Sequence, residues 1–205
     1  MMLIKALKQT SPGRITVCLE DGSEIRSSLN VVTDLRLFSG KELDEEDIRA
    51  LRSASGRSIA RDRALEMISR RLMSRKELHD KLVQKGESEE NADCCVSWLS
   101  ENGFLSDESY AAAVARHYAS KGYGAGRVRT ELSRRGVPRE LWDEALGAMP
   151  ETDGKLDRLI SAKLKDPGDR EQVRKLGNSL YRRGYSWEEI RSALARYSAE
   201  TDEEY

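Results

Sequence analysis

The side chains in this 205-residue sequence that could do chemistry with a partner are mainly basic, and they are grouped along the chain. Between Arg116 and Arg139 there are seven lysine and arginine residues against a single acid, Glu131. The stretch 87–108 has seven acids and no lysine or arginine, whereas 57–85 has nine basic residues against four acids. Because the net charge is only −1, this uneven distribution is more informative than the sum. Such blocks are typical either of solvated helix faces or of a surface that faces an acidic polymer or protein groove.

The residues that commonly carry catalysis or bind metals are not arranged for either task. Cys94 and Cys95 are adjacent, and no C-x-x-C spacing occurs, which favours reduced thiols over a disulfide framework. His79 and His117 are each isolated from other metal-ligating residues. The glycines within 122–126 do not follow a strand, so we expect a tight connector between helices rather than a loop that cradles phosphate. An enzyme, such as a nuclease or hydrolase, is therefore the weaker hypothesis.

The basic residues are positioned by a pattern of helix, glycine and helix that occurs three times. The glycines are 50 and 48 residues apart in the chain: Gly86, Gly136 and Gly184. A leucine stands four residues before each glycine: Leu82, Leu132 and Leu180. A basic residue immediately precedes each glycine: Lys85, Arg135 and Arg183. A period of this size predicts stacked helical units, with the glycines as helix stops and the leucines buried. Trp142 and Trp187 are also expected in the core.

The residues before the repeat predict a small antiparallel sheet. Apolar and polar residues alternate in 15–19, Asp21-Gly22 favours a two-residue hairpin turn, and 24–29 is expected to be the return strand. Apolar residues in 3–7 could supply a third strand.

Two helices are expected between this sheet and the helix that ends at the first glycine stop. Asp44 is a plausible N-cap for a short helix that ends near 53–56, where serine and glycine are frequent. A longer helix is expected to begin at Ser58. The sheet and short helix would then form an end piece that covers the first repeat.

The predicted fold class is mainly α: an elongated array of three tandem three-helix repeats with a small N-terminal β-hairpin and helix extension. The expected segments are the extension, the three repeats and an acidic tail: 1–57, 58–105, 106–150, 151–199 and 200–205. No apolar run approaches the roughly 20 residues needed to cross a bilayer. The amino terminus also lacks the pattern of a secretory signal, so we expect a cytoplasmic protein without a membrane partner.

Several stretches of the repeat region resemble one known family. These are ALEMISRRLMSRKELHDKLVQKG, WLSENGFLSDESYAAAVARHYASKGYGAGRVRTELSRRGV and LGNSLYRRGYSWEEIRSAL. Together they make the chain similar to the RecX family over about residues 58–197, and the part from Gly103 to Gly136 is the most specific. The pair Cys94-Cys95 departs from the family pattern, and the first helix of the third repeat matches it less well.

The resemblance implies a regulator of the RecA recombinase that is built from tandem three-helix repeats. Members of the family lie in the helical groove of the RecA–DNA filament and suppress its ATPase and strand-exchange activities in recombination and DNA repair. The resemblance implies no cofactor and no catalytic residue. We therefore expect a monomer whose partner is the RecA filament, with direct contact to single- or double-stranded DNA as a further possibility. A helical DNA-binding module that acts without a recombinase remains the alternative.

The candidate partner-binding residues are basic residues near repeat ends and connectors, which would contact acidic recombinase surface or DNA phosphates. They are Arg75, Lys76, Lys81, Lys85, Arg116, Lys121, Arg127, Arg129, Arg134, Arg135, Arg182 and Arg183. A solvated helix face remains the competing interpretation for any single one. Reversal of Arg127, Arg129 and Arg135 to glutamate is expected to leave the fold intact, because exposed charges contribute little to stability.

Overall fold

The computed structural model describes residues 1–150 and 153–203, and it confirms a mainly helical fold with a small N-terminal sheet. The chain divides into two compact units. The first unit comprises Met1–Met73 and Glu77–Leu105; the second comprises Ser74–Lys76 and the chain from Ser106 onward. The first unit therefore contains the sheet and most of the first repeat, and the second contains the other two repeats. The five segment boundaries proposed from the sequence stay predictions.

The sheet of the first unit has four antiparallel strands in the order β3-β2-β1-β4. They are β1 Met2–Ser11, β2 Arg14–Leu19, β3 Glu24–Ser28 and β4 Glu42–Leu43. The predicted hairpin is confirmed, but its connection has four residues rather than two. The Asp21 carboxylate accepts the Ser23 amide proton at 2.9 Å, and Gly22 has a φ of +83°. Aspartate thus organises a wider turn through its side chain.

After the sheet, helix α1 spans Leu29–Asp34 and helix α2 spans Glu45–Arg70 without interruption. The N-cap at Asp44 is confirmed, with Asp47 completing a reciprocal capping pair. The predicted helix break near 53–56 is wrong. The serines in this stretch bond to the sheet: Ser55 to Ser27 and Ser58 to Ser28, each at 2.8 Å between hydroxyl oxygens. Their polar side chains therefore serve a tertiary contact rather than a turn.

The repeats contain the remaining helices. The first repeat has α3 Arg75–Gln84 and α4 Glu89–Glu101 after the end of α2. The second has α5 Asp107–Ser120, α6 Ala125–Arg134 and α7 Trp142–Gly147, the last preceded by a 3₁₀ turn at Arg139–Leu141. The third has α8 Asp153–Ser161, α9 Arg170–Arg182 and α10 Trp187–Glu203.

The three glycine stops are confirmed. Helices α3, α6 and α9 each end two residues before a glycine with positive φ, at +91°, +68° and +94°: Gly86, Gly136 and Gly184. The leucines four residues earlier are at most 2% exposed: Leu82, Leu132 and Leu180. Each leucine belongs to a separate apolar cluster, so every repeat has its own small core.

Trp187 does not lie in the core as expected, because 46% of its surface is exposed. Trp142 is half-buried, and its indole N–H donates to the carbonyl of Val137 at 3.0 Å. Within the described ranges no helix is long and apolar enough to cross a membrane. The predicted acidic tail at 200–205 lies partly outside the described residues.

Candidate partner-binding surface

The candidate basic residues fall into two groups by exposure. Eight are exposed: Arg75, Lys76, Lys85, Arg116, Lys121, Arg129, Arg134 and Arg182. Four are half-buried: Lys81, Arg127, Arg135 and Arg183. The expectation that Arg127 and Arg135 are simple surface charges is therefore wrong.

Glu131 on α6 engages three of the candidate arginines through its buried carboxylate: Arg127, Arg134 and Arg135. It is 2% exposed. One carboxylate oxygen lies 2.8 Å from Nη2 of Arg127. The other lies 3.0 Å from Nη2 of Arg134 and 3.5 Å from Nε of Arg135. These partners stand four residues before and three or four after Glu131, so they share its side of the helix. The single acid in the stretch 116–139 therefore pairs with three of its seven basic residues.

The charges in this group stabilise one another. Burial disfavours the ionised form of Glu131, but the hydrogen bonds from Arg134 and Tyr118 outweigh it and lower the pKa of the carboxyl. Burial likewise opposes the charge on Arg135. Its hydrogen bonds with Tyr110, at 2.7 Å, and with Tyr118 nevertheless raise the guanidinium pKa. Both Glu131 and Arg135 are therefore charged in the folded protein at neutral pH.

Arg127 and Arg183 also contact tyrosine rings. The guanidinium carbon of Arg127 lies 6.0 Å from the ring centre of Tyr118 and 5.9 Å from that of Tyr123. The guanidinium carbon of Arg183 lies 5.5 Å from the Tyr123 ring centre. A cation over an aromatic face is an attractive arrangement at these distances. These arginines therefore join α5, α6 and the end of α9, and they are less available to a partner than the exposed set.

The glycine-rich stretch 122–126 is a tight connector, as predicted, and it is built for close backbone contact. The amide of Gly124 donates to the carbonyl of Arg183 at 3.0 Å, and that of Gly126 donates to Gly184 at 2.9 Å. A Cβ on Gly124 would lie only 2.5 Å from the Gly184 oxygen. The start of α6 thus sits directly on the turn that ends α9.

The same kind of contact occurs at the start of α3. The hydroxyl of Ser74 donates to the carbonyl of Arg135 at 2.5 Å, and the amide of Arg75 donates to the Asp107 carboxylate at 2.8 Å. A Cβ on Gly136 would approach Cβ of Lys76 to 2.8 Å. In both places the start of one repeat's second helix meets the glycine turn of the next repeat. Arg75 and Lys76 therefore lie at a contact between repeats.

Some candidate cations stay uncompensated. Arg129 and Arg182 are exposed, and neither forms an ion pair with a residue of the described part of the chain. Both line a groove of about 380 Å³ at the start of α6 and the end of α9. Tyr181 lines it as well, and its ring stacks on Trp187 with 5.2 Å between ring centres. The sequence analysis missed Tyr181, although its place next to the buried Leu180 indicates an outward face.

The first unit has a second basic groove of about 630 Å³, between the end of α2 and α3. Its arginines are paired with acids: Arg63 with Glu87, Arg70 with Glu66 and Arg71 with Glu77. Its two lysines, Lys81 and Lys85, form no ion pair within the residues the structure describes. These two lysines are therefore the basic residues of this groove that have no acidic partner among the described residues.

Neither a metal site nor a reactive thiol is evident in this surface. Across 1–150 and 153–203, no cluster of three or more histidine, cysteine or acidic residues could hold a metal ion. Cys94 is exposed and Cys95 is buried. Burial raises the pKa of the Cys95 thiol to about 11, so this thiol is protonated at neutral pH.

Three family models match consecutive parts of the chain. The first three-helix domain of RecX matches residues 60–99, the second matches 106–146 and the third matches 158–194. These ranges contain the three glycine-stop helices, so the repeat found in the sequence coincides with the domain pattern of that family.

Comparisons with individual proteins and solved structures also give RecX relatives. The regulatory protein RecX of Caldanaerobacter subterraneus is 25% identical over 194 residues, which cover 95% of this chain and 98% of the relative. That of Vibrio cholerae is 38% identical over 149 residues, covering 71% and 97%. A crystal structure of a regulatory protein RecX has a TM-score of 0.72 at 24% identity, covering 93% of this chain and 98% of the other. The RecX structure from Lactobacillus salivarius has a TM-score of 0.62 at 22% identity, covering 71% and 99%.

Proposed function

The chain belongs to the RecX family of regulatory proteins, and we propose that it binds the RecA–DNA filament and inhibits ATP hydrolysis and strand exchange. It acts without a cofactor and without chemistry of its own, by occupying filament surface. Its place of action is the cytoplasm, where the filament forms on DNA.

The observation that carries this proposal is the exposed, unpaired cation on the second helix of every repeat or directly after it. Lys85 follows α3, Arg129 lies on α6 and Arg182 ends α9. A filament presents the same acidic or phosphate groups at regular intervals along its length. Contacts that are individually weak add together when one chain makes several of them, because each further contact forms at high effective concentration. Such contacts are ionic and are screened by salt.

Exposure and side-chain contacts support a smaller set of contact residues than the twelve candidates. We assign six of the candidates to partner contact: Lys81, Lys85, Arg116, Lys121, Arg129 and Arg182. Arg127 and Arg135 are assigned to stabilising the second repeat, since Glu131 pairs with both. Arg183 is assigned to joining the third repeat to the second, since its guanidinium group contacts the Tyr123 ring. Arg134 is 69% exposed at its side chain, although its guanidinium group pairs with the buried Glu131 carboxylate. It is assigned to neither set.

The test is to add the purified chain to RecA on single-stranded DNA and follow ATP hydrolysis. We expect inhibition that deepens with the concentration of the chain and weakens as the salt concentration rises. An ATPase rate that stays constant at every concentration of the chain would refute the proposal. A salt-dependent affinity for bare DNA that recombinase leaves unchanged would favour the alternative, a DNA-binding module without a recombinase partner.

A further inference from the structure

Two aromatic side chains of the third repeat are exposed side by side. Tyr181 at the end of α9 is 54% exposed, and Trp187 at the start of α10 is 46% exposed. Their rings are stacked, with 5.2 Å between ring centres and 14° between ring planes. Large aromatic side chains that are not in a core mark a contact surface more often than a single exposed aliphatic residue does.

The fold holds this pair in place. A Cβ on Gly177 of α9 would lie 3.2 Å from Cζ3 of Trp187, so the glycine makes room for the indole ring. The amide of Ser186 donates to the Glu189 carboxylate at 2.6 Å, and the amide of Glu189 donates to the Ser186 hydroxyl at 3.2 Å. This reciprocal pair starts α10 one residue before Trp187. The indole is therefore positioned by packing and capping although nearly half of it faces solvent.

The groove next to the pair has more basic than acidic side chains in its lining, namely Arg127, Arg129 and Arg182 against Glu189. Tyr181 belongs both to the stack and to the wall of the 380 Å³ groove, which Arg129 and Arg182 also line. Tyr185 lines the same groove and is 1% exposed, and its hydroxyl has no hydrogen-bond partner among the described residues. Unpartnered buried hydroxyl groups are uncommon in native proteins and call for a water or a ligand nearby. The groove thus combines two guanidinium groups that form no ion pair among the described residues, a hydroxyl without a partner and stacked aromatic rings. Arg182 donates one hydrogen bond, from Nε to the carbonyl of Asn178 at 3.3 Å.

We propose that this groove binds single-stranded DNA, with a base stacked on the Tyr181–Trp187 pair and the neighbouring phosphates held by Arg129 and Arg182. Stacked aromatic residues beside guanidinium groups suit unpaired bases, because every base has a π-face and every linkage carries a negative charge. Bases inside a duplex are already stacked on each other and cannot use this surface. The contact is made with DNA alone, so it goes beyond the proposed regulation of the recombinase and does not depend on it.

The test uses the full chain without recombinase and measures its affinity for fluorescent oligonucleotides by anisotropy. The probes are an oligothymidylate of about 15 nucleotides, an abasic strand of equal length and a duplex of equal length. Wild type is expected to bind the oligothymidylate most tightly. Tyr181→Ala is expected to weaken that binding by about 5- to 100-fold and to leave the abasic strand unaffected. Tyr181→Phe should keep the affinity, because the ring remains.

Substitution of the two arginines is expected to change the affinities for the three DNA probes in a different way. Arg129→Gln and Arg182→Gln are each expected to weaken binding of the oligothymidylate and the abasic strand alike, and each should reduce the salt slope by about one. Phe104→Ala is the matched control, since Phe104 is 57% exposed and stacks on Trp98 in the first unit. Circular dichroism and thermal melting verify the fold of each variant. The test substitutes Tyr181 rather than Trp187, because truncation of Trp187 would also remove a ring that packs against Gly177.

Equal affinity of wild type for the oligothymidylate and the abasic strand would overturn the proposal. Unchanged binding by a folded Tyr181→Ala variant would also overturn it. If this variant kept its DNA affinity but lost recombinase inhibition, the aromatic pair would be a protein contact instead. Because DNA binding and ATPase inhibition are measured separately, a failure of the DNA site leaves the proposed regulation standing, and the reverse also holds.

Discussion

The amide of Gly126 donates a hydrogen bond of 2.9 Å to the carbonyl of Gly184, so that the first turn of α6 rests on the backbone turn after α9. Gly184 therefore has two constraints. Its φ of +94° disfavours a side chain, and a Cβ would collide with the backbone amide nitrogen of Arg127. Gly86 has only the first constraint, because nothing lies within 4 Å of a Cβ placed there.

This difference predicts unequal costs for the same substitution at two equivalent helix stops. Gly86→Ala should lower the free energy of unfolding by about 1–2 kcal/mol, the cost of a left-handed alanine. Gly184→Ala should cost more, since the second and third repeats must also move apart. Urea unfolding of both variants measures the comparison. Equal losses would show that the close approach at Gly184 contributes nothing to stability.

Leu132 is fully buried in the core of the second repeat. Leu132→Ala removes apolar contacts and leaves a cavity, so we expect a loss of about 2–5 kcal/mol in the free energy of unfolding. Thermal melting against wild type is the measurement. Leu72, which is 61% exposed, provides a control, because Leu72→Ala should change stability by less than about 0.5 kcal/mol. A melting temperature for Leu132→Ala equal to that of wild type would contradict the packing described for α6.

Glu131 should be more important to stability than any of the arginines it binds. Glu131→Gln leaves Arg127 and Arg135 partly buried without a counter-charge, and we expect a loss of about 3–5 kcal/mol. Arg134→Ala removes only an exposed member of the group and should cost less than about 1 kcal/mol. Chemical denaturation of both variants distinguishes these values. A Glu131→Gln protein as stable as wild type would mean that the three arginines do not need this carboxylate.

The lowered pKa of Glu131 gives this interaction a pH dependence. The folded state holds the carboxylate ionised below its ordinary pKa of 4.5, whereas the unfolded chain takes up a proton near that value. The stabilisation is therefore present above about pH 4.5 and is lost as the pH falls through the lower pKa of the folded state. Unfolding free energies measured from pH 7 downward should fall more steeply for wild type than for Glu131→Gln. Parallel curves would contradict the shift.

Charge reversal tests the proposed contact surface without disturbing the Glu131 group. The variant Lys85→Glu, Arg129→Glu, Arg182→Glu changes only exposed side chains without ion pairs in the described structure. We expect it to stay folded and to raise the concentration needed for half-inhibition of RecA ATPase by about 10-fold or more. The control carries the same change in charge at exposed residues of the N-terminal sheet and α2: Lys5→Glu, Arg26→Glu and Arg49→Glu. Equal inhibition by both variants would exclude these three cations as contacts.

The helix stops and the small repeat cores could be predicted from the sequence, because they depend on local spacing. Leucine four residues before a left-handed glycine is buried by the geometry of one helix end, whatever lies beyond it. The continuity of α2 could not be predicted this way. Its serines prefer turns when judged locally, and only the sheet that they bond to makes them compatible with a helix.

The roles of the candidate partner-binding residues likewise depend on contacts that local sequence does not show. Arg127, Arg129 and Arg135 look alike in the sequence, but α6 turns two of them toward Glu131 and leaves the third without a partner in the described structure. Helical spacing from Glu131 could have suggested this pairing, since both lie four residues from it. Trp187 could not have been placed outside the core from its apolar character alone, because its ring packs on Tyr181 and over Gly177 while 46% of its surface stays exposed.

Helix α2 limits where this chain can be cut. Its first half buries Leu51 in the core beneath the sheet, and its second half buries Ala60 and Ala64 in the core of the first repeat. A fragment that begins at Ser58 would therefore start in the middle of a hydrogen-bonded helix, and its first turn would lack the cap that Asp44 provides. An expression fragment intended to contain the repeats alone should keep the whole of α2 and begin before Asp44, where the helix has its own cap.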